Sequence, residues 1–330
     1  EEPIYLKISH EFDKFWQQAG EHTVTTLPKL DVSSILKSNP MTCYKFFRNK
    51  IVEITKDEIS EVDYEERVDN LVWADEVIDK DWNYVGPEIQ EKCMYGDFLA
   101  KAINGDHNYV RMIIGFLCNG YKTDSESYLI ALMEPMDASL GGGTGKGFFV
   151  KILRFWHPIL ITNGLAVKKD IDQLIQNWNG EKVVHLSDLP KWVNLGDLKH
   201  VVSDDSQRKL LYKDIQNILV EDMPKFVLSG QHGLDTVSDG GVKGRIRQLA
   251  FSGYFGRLGN TIRDEYGGDC PAVWDTPERC EAMGWAEGSS NDWDGYYSYI
   301  ADCVKLYLGV RKIDIVEDLG LWLKEWDTRF

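Results

Sequence analysis

The sequence contains no C-x-x-C pair. Its six cysteines, at 43, 93, 118, 270, 280 and 303, stand singly on or beside apolar runs. That spacing argues for buried thiols of a reducing compartment and against bridges or zinc ligands. Nor is there an uncharged apolar stretch of the roughly 18 residues that a bilayer span requires. The most apolar segment, Phe148 to Val167, carries Lys151, Arg154 and His157, which excludes a membrane-spanning helix and a membrane partner. Positive charge is short as well: 37 Lys and Arg face 53 Asp and Glu, a formal charge of −16. The surface as a whole cannot act as a general polyanion binder, so any nucleic-acid contact must be confined to a groove or pore. Internal repeats and low-complexity tracts are missing too. The chain opens Glu1-Glu2-Pro3 without a basic segment or an apolar signal core. The expectation is a trimmed or internal piece rather than a secretory precursor.

What is present is a globular composition. Hydrophobic residues make up 43% of 330, with 11 Trp, 15 Tyr and 13 Phe, enough for a sizeable core and about two structural units. From Cys43 to Tyr64, β-branched and aromatic runs are broken at Arg48-Asn49-Lys50 and Lys56-Asp57-Glu58, the pattern of a small strand meander. Residues 1–95 therefore read as an N-terminal accessory α+β region. Between Gly96 and Tyr121, Phe98, Leu99 and Ala102, then Val110, Ile113, Ile114 and Leu117, recur at three and four. That spacing predicts two short packed helices within 96–125.

The stretch 126–258 reads as an α/β core. Apolar runs at 128–134, 159–162, 183–186 and 226–228 are the buried strands of a parallel sheet, separated by helical segments such as Asp170 to Trp178. Residues 259–330 read as a C-terminal helical region. A helix begins there at Ser290 or Asn291 and stops at Gly309, and a closing helix carries Leu321, Trp322 and Trp326.

The informative motif is Leu140-Gly141-Gly142-Gly143-Thr144-Gly145-Lys146-Gly147. It follows an apolar strand and opens a helix, the setting in which backbone N–H groups turn inward to hold phosphate oxygens. Lys146 would reach the β- and γ-phosphates. The expected nucleotide contacts are Gly141, Gly142, Gly143, Thr144, Gly145, Lys146, Gly147 and Phe148. Two departures from G-x-x-x-x-G-K-[ST] stand out: Leu140 replaces the first glycine, and Gly147 replaces the magnesium-binding hydroxyl. The metal then needs another anchor. Asp188, ending V-V-H-L-S-D, can hold Mg²⁺ through a water or orient the attacking water; it can equally be the N-cap of a Ser-Asp-x-Pro turn. The run KFVLSGQH places Gln231 as a sensor that polarises water, with His232 an ordinary loop histidine. Lys243, Arg245 and Arg247 form a basic cluster. It reads either as solvated charge or as the source of an arginine that reaches a neighbour's γ-phosphate.

Taken in order, CYKFFRNKIVEITKD, IIGFLCNGYK, YLIALME, GGGTGKGFF, VVHLSDLPKWVNLGDL, PKFVLSGQHG, RQLAFSGYF and DWDGYYSYIADCVKLYL resemble the superfamily 3 helicases, in the poxvirus-like branch of viral, phage and mobile-element primase-helicases. The resemblance implies a P-loop NTPase core of AAA+ type. It implies six subunits in a homo-oligomeric ring that binds ATP and Mg²⁺ between neighbours and draws single-stranded DNA through its centre. A primase upstream and residence in a host cytoplasm belong to the same expectation. Carried over by residue, Gly145 and Lys146 match the phosphate loop, Asp188 the second Walker-B acid, Gln231 the sensor, and Arg245 or Arg247 the arginine acting in trans. Ser187 stands where the first Walker-B acid is expected. The family's pore hairpin falls on Arg208-Lys209-Leu210-Leu211-Tyr212-Lys213, where Arg208, Lys209 and Lys213 would track DNA phosphates, or form a merely solvated hairpin. Two other functions fit the same features: a nucleotide-binding scaffold subunit with weak or no turnover, and an ATPase that packages DNA or remodels its substrate.

Overall fold

The computed structural model describes residues 34–67, 70–103, 105–134, 142–164, 178–189, 202, 205–209, 215–230, 244–256, 260–266 and 290–314. Gly141, Lys213, Gln231, His232 and Lys243, most of the 170–178 segment and the closing helix around Trp322 lie outside these residues.

The meander forms where the sequence places it. Strands β1 (Cys43–Phe47), β2 (Ile51–Ile54) and β3 (Ile59–Val62) pair antiparallel in succession, and the two predicted breaks are the two turns. A two-residue strand that the sequence did not signal, β4 (Val77–Ile78), adds to β1 in parallel.

Three helices follow: α1 (Pro87–Lys92), α2 (Met94–Ala102) and α3 (His107–Cys118). Asp106 caps α3 by accepting from the Asn108 N–H at 2.9 Å. On α3 the residues Val110, Ile113, Ile114 and Leu117 are buried, as their spacing requires.

Seven further strands succeed one another along the chain: β5 (Leu129–Met133), β6 (Ile159–Asn163), β7 (Val183–Ser187), β8 (Ser206–Lys209), β9 (Ile215–Ile218), β10 (Lys225–Ser229) and β11 (Ile246–Ala250). Five of them form the core, a wholly parallel sheet in the order β11-β5-β10-β7-β6. The other two, β8 and β9, make an antiparallel hairpin between β7 and β10. Side-chain alternation divides the parallel strands between two cores. Ile130, Leu132, Val183 and Val227 enter one; Leu129, Val184, Leu186, Phe226 and Leu228 enter the other. A sheet covered on both faces explains the uninterrupted apolar runs. Each large aliphatic or Phe side chain buried there contributes about 1.5–3 kcal/mol. Helix α4 (Lys146–Ile152) follows β5, and α5 (Ile262–Tyr266) follows β11.

The last described helix, α6 (Ser290–Val310), packs along α3 and α1. At the α3 crossing a Cβ on Gly115 would lie 2.1 Å from the Cys303 carbonyl oxygen, so only glycine permits this approach. The expected stop at Gly309 is displaced. The helix runs through it, and Arg311 takes the left-handed position beyond the end, at φ 57°. Its guanidinium fork grips the Glu126 carboxylate at 2.5 and 2.7 Å, and this bidentate ion pair offsets the strain of a non-glycine residue there. One continuous core joins Cys43 of β1 to Ile313 beyond α6. The N-terminal sheet, the helices and one face of the parallel sheet therefore share a packed interior.

Candidate nucleotide site

In an open parallel sheet, ligands settle at the carboxyl ends of the strands. Three strand ends meet here at one side chain. Lys146, the first residue of α4, pairs its ammonium with the carboxylate of Glu134, just beyond β5. The same ammonium donates to the Gly230 carbonyl, just beyond β10, at 3.0 Å. The charge of Asp188, at the end of β7, also acts on it. The Lys146 and Glu134 side chains are 11% and 18% exposed. Burial lowers the Lys146 pKa from its usual value, while the Glu134 and Asp188 carboxylates oppose that shift.

The loop before α4 is built from backbone that side chains resist. Gly142, Gly143 and Gly145 have φ of 87°, 85° and 99°. At Gly145 a Cβ would also lie 2.9 Å from the Phe98 ring, so glycine is required there for both conformation and space. Thr144 between them is 2% exposed. Its hydroxyl is buried without a partner among the described residues, an orphaned donor of the kind a phosphate oxygen satisfies. Gly147 is different: a Cβ there would meet nothing within 4 Å, and helix geometry makes no demand for glycine. Its lack of a hydroxyl is thus a chemical feature and not a steric one.

These residues fit a polyphosphate. They supply a lysine, an orphaned hydroxyl and a glycine loop at a strand end. Among the described residues the acids that act on Lys146 are Glu134 and Asp188, and no group of three His, Cys, Asp or Glu side chains could hold a metal. That suits a hydrated ion held largely by phosphate oxygens. Asp188 is exposed, at φ 52°, a conformation Asp tolerates better than most residues.

The remaining expected residues divide. The Phe148 side chain is 5% exposed and packs edge-on against Phe98 at 4.7 Å; only its backbone can face a nucleotide. Arg247 is buried within its own chain. Its guanidinium donates to the carbonyls of Gly244 at 2.8 Å, Ile246 at 3.0 Å and Ile313, and lies 4.3 Å from the Tyr128 ring centroid. These bonds commit it to the interior, so it cannot extend to a neighbour. Arg245 is partly exposed and stands just before β11. In the parallel register Leu129, at the start of β5, is held by the Arg245 carbonyl at 3.0 Å. Arg245 therefore sits at the opposite end of the sheet from the loop of its own chain. Arg208 and Lys209 lie on β8, in the hairpin expected of them.

Sequence reasoning misses Glu134. Its only signal is a lone acid ending an apolar strand, twelve residues before the lysine it meets.

No protein-family model matches the chain, and no curated protein matches it. Among solved structures it is similar to the apo A form of the NrS-1 C-terminal region, residues 305–718. That match has 13% identity and a TM-score of 0.42, covering 87% of this chain and 73% of the other. A second A-form apo structure of that region gives 13% identity and 0.44, over 86% and 72%. JCV Helicase, in complex with a thiazolopyridine-phenoxyphenyl acetamide, gives 12% and 0.25, over 68% and 61%. What the site can do follows from its own residues.

Proposed function

We propose that the chain is an ATP-dependent DNA helicase module of superfamily 3 type, working as a homo-oligomeric ring, with a hexamer the expected form, on single-stranded DNA. The carrying observation is the largely buried Lys146 ammonium, set at the carboxyl edge of a parallel sheet beyond a loop of left-handed glycines and held by Glu134 and Gly230. A triphosphate entering this cradle would take over the ammonium from Glu134. Lys146 then stabilises charge on the transferring phosphoryl group. The Thr144 hydroxyl donates to a phosphate oxygen. Asp188 would help hold a hydrated Mg²⁺, which would supply positive charge to offset that of the phosphates. Glu134, once released, would orient the attacking water, the task the resemblance gives to Gln231.

Arg245 suits a role in trans. A finger on the same chain would have to cross the sheet, whereas a neighbour docked in a ring presents its own Arg245 across the boundary. The β8–β9 hairpin, carrying Arg208 and Lys209, is the element assigned to the DNA. A local basic element of this kind is what an acidic chain needs in order to hold DNA without becoming basic overall.

ATPase assays with and without single-stranded DNA, together with strand displacement on a forked substrate, test the reading. Turnover stimulated by DNA, its loss in Lys146→Ala and unwinding of the fork are expected. Binding of ATP without turnover would leave the scaffold function standing; turnover with the fork intact would favour a packaging or remodelling ATPase.

A further inference from the structure

A second cavity, of about 760 Å³, lies at the other end of the parallel sheet, between the entrances to β6, β7 and β10 and the β1–β4 edge of the N-terminal sheet. Lys225, the first residue of β10, lines it, whereas Gly230, just beyond the same strand, contacts Lys146. At about 3.3 Å per residue the two sites are about 16 Å apart along that strand.

Its lining carries seven Lys and Arg residues against five Asp and Glu, a local excess of positive charge in a protein of net charge −16. Three lysines reach into it from separate elements. Lys45 of β1 donates to the Trp156 carbonyl at 2.6 Å; Lys122 donates to Val202 and Pro224 at 3.2 and 3.1 Å; Lys225 donates to Asn119. Among the described residues none of the three forms an ion pair. Each spends one or two of its three N–H donors on main-chain carbonyls, so donors remain. His157, 4% exposed, also lines the cavity, and neither of its ring nitrogens has a partner among the described residues. Asn119 is fully buried with its side-chain oxygen unpartnered. Lys45, Lys182 and Lys225 all act electrostatically on His157, and Lys122 acts on Lys225. Asp75, Glu76, Asp79, Glu221 and Asp222 also line the cavity, and Glu76 acts on Lys45 and pairs with Lys182, but buried ammonium groups held only by main-chain carbonyls and an imidazole without a hydrogen bond remain costly unless an anion completes them.

We infer that this cavity is a second ligand site, separate from the phosphate loop, which takes a nucleotide through its terminal phosphomonoester. The dianionic phosphate is received by Lys45, Lys122, Lys225 and the His157 ring. The volume, within the range of small-molecule sites, leaves room for a nucleoside, and Trp73 and Tyr121 on its wall offer aromatic faces to a base. The phosphomonoester can belong to a free nucleotide or to the 5′ end of a strand, since the chemistry recognised is the same.

Calorimetric titration of the full chain carrying Lys146→Ala, which disables the phosphate loop, is the test. The probes are AMP, a 5′-phosphorylated oligonucleotide and the same oligonucleotide with a 5′-hydroxyl. Saturable binding of a phosphomonoester with Kd below about 1 mM is expected. Adding Lys225→Met, or Lys182→Ala at the rim, should weaken it by about tenfold or more. Lys182 is 44% exposed, so its variant serves even if the buried one misfolds. Binding by AMP alone assigns a free nucleotide; binding by the phosphorylated strand as well assigns a strand end. No saturable binding up to about 5 mM, equal binding of the 5′-hydroxyl strand, or affinities unchanged in both variants would overturn the inference. Because Lys146 is already removed, a failure here says nothing against ATP in the loop, and an inactive loop says nothing against this cavity.

Discussion

Replacing Glu134 by Gln separates a structural ion pair from a stand-in for phosphate. In the free protein the carboxylate is the counterion of a largely buried ammonium. At an effective dielectric of about 20, unit charges about 4 Å apart attract by about 4 kcal/mol. Part of this is cancelled by desolvation of both groups and part by the exposure each retains. The net loss on Glu134→Gln is therefore about 2 kcal/mol, which should lower the unliganded Tm by about 4 °C. The same change removes the group that a triphosphate must displace. ATP should then bind about fivefold tighter, or about 1 kcal/mol, and the Tm gain on adding ATP should exceed that of the parent. The sign with pH follows from burial, which lowers the Lys146 pKa. The ammonium is charged below its folded pKa and neutral above it, so ATP affinity falls as pH rises through that value. In Glu134→Gln, without its counterion, the fall begins at lower pH. Thermal melts and nucleotide titrations between neutral and alkaline pH measure all three effects. If the variant is as stable as the parent without ligand, or binds ATP more weakly, Glu134 is not standing where phosphate goes.

Gly147→Ser should be tolerated, because a Cβ at this position has nothing within 4 Å, and should add about 0.5 kcal/mol from helix propensity alone. By restoring a metal-facing hydroxyl it should lower the Mg²⁺ concentration for half-maximal ATPase, as a metal titration would show. Gly145→Ala is the opposite case: with φ at 99° and Phe98 in the way, it should cost about 2 kcal/mol or more and abolish ATP binding. Arg247→Met should destabilise by about 3 kcal/mol, seen in denaturant melts. Arg245→Ala should instead keep nucleotide affinity and lose turnover, and mixing it with Lys146→Ala should recover activity at the boundaries where both intact groups meet. Lys225 carries a different sign. Burial holds its pKa at about 7, with Lys122 and Lys182 adding to the shift and the Cys43 and Cys118 thiols opposing it. Between pH 7 and its ordinary value the unfolded chain binds the extra proton, so stability rises with pH across that window. Lys225→Met should flatten that slope and raise the Tm at pH 7.

The sequence revealed most where one physical constraint dominated. A sheet buried on both faces needs unbroken apolar strands, and 128–134, 183–186 and 226–228 supplied them. The loop was legible because closely spaced glycines before a lysine satisfy a backbone demand that no other residue meets. Strand β11 was hidden because Arg247 and Gln248 interrupt its apolar pattern. Arg247 is buried through carbonyl acceptors, one of them at Ile313, 66 residues away, and no local pattern announces such a partner. Gly309 misled for the converse reason: a glycine marks a helix end only when the next turn lacks support, and here Arg311 finds Glu126 across 185 residues. Glu134 and the cavity lysines were illegible for the same cause, since each gains its meaning from strand ends that only the parallel register brings together.

Lysines at the two ends of the sheet are held in different ways, and the difference bears on what each can bind. Lys146 faces a carboxylate, which cancels its charge; an incoming phosphate must win a competition, and the site is reset when product leaves. That arrangement suits a ligand that arrives and departs with each turnover. Lys45, Lys122 and Lys225 face main-chain carbonyls. A carbonyl dipole fixes the ammonium in place without pairing its charge, and the five carboxylates on the cavity wall, Asp75, Glu76, Asp79, Glu221 and Asp222, offset only part of the positive charge of the seven Lys and Arg residues there. Such a site gives up folding stability in the absence of ligand, because the cations repel one another and are poorly hydrated. It regains that stability when an anion enters, since among the described residues none of these three lysines has an ion-paired carboxylate to displace. The expectation that follows is a contrast in salt response. Added chloride should raise the Tm of the free protein by screening the cavity cations, and this gain should shrink in Lys225→Met while persisting in Glu134→Gln. A salt-induced gain that is the same in both variants would mean the cavity lysines carry no uncompensated charge.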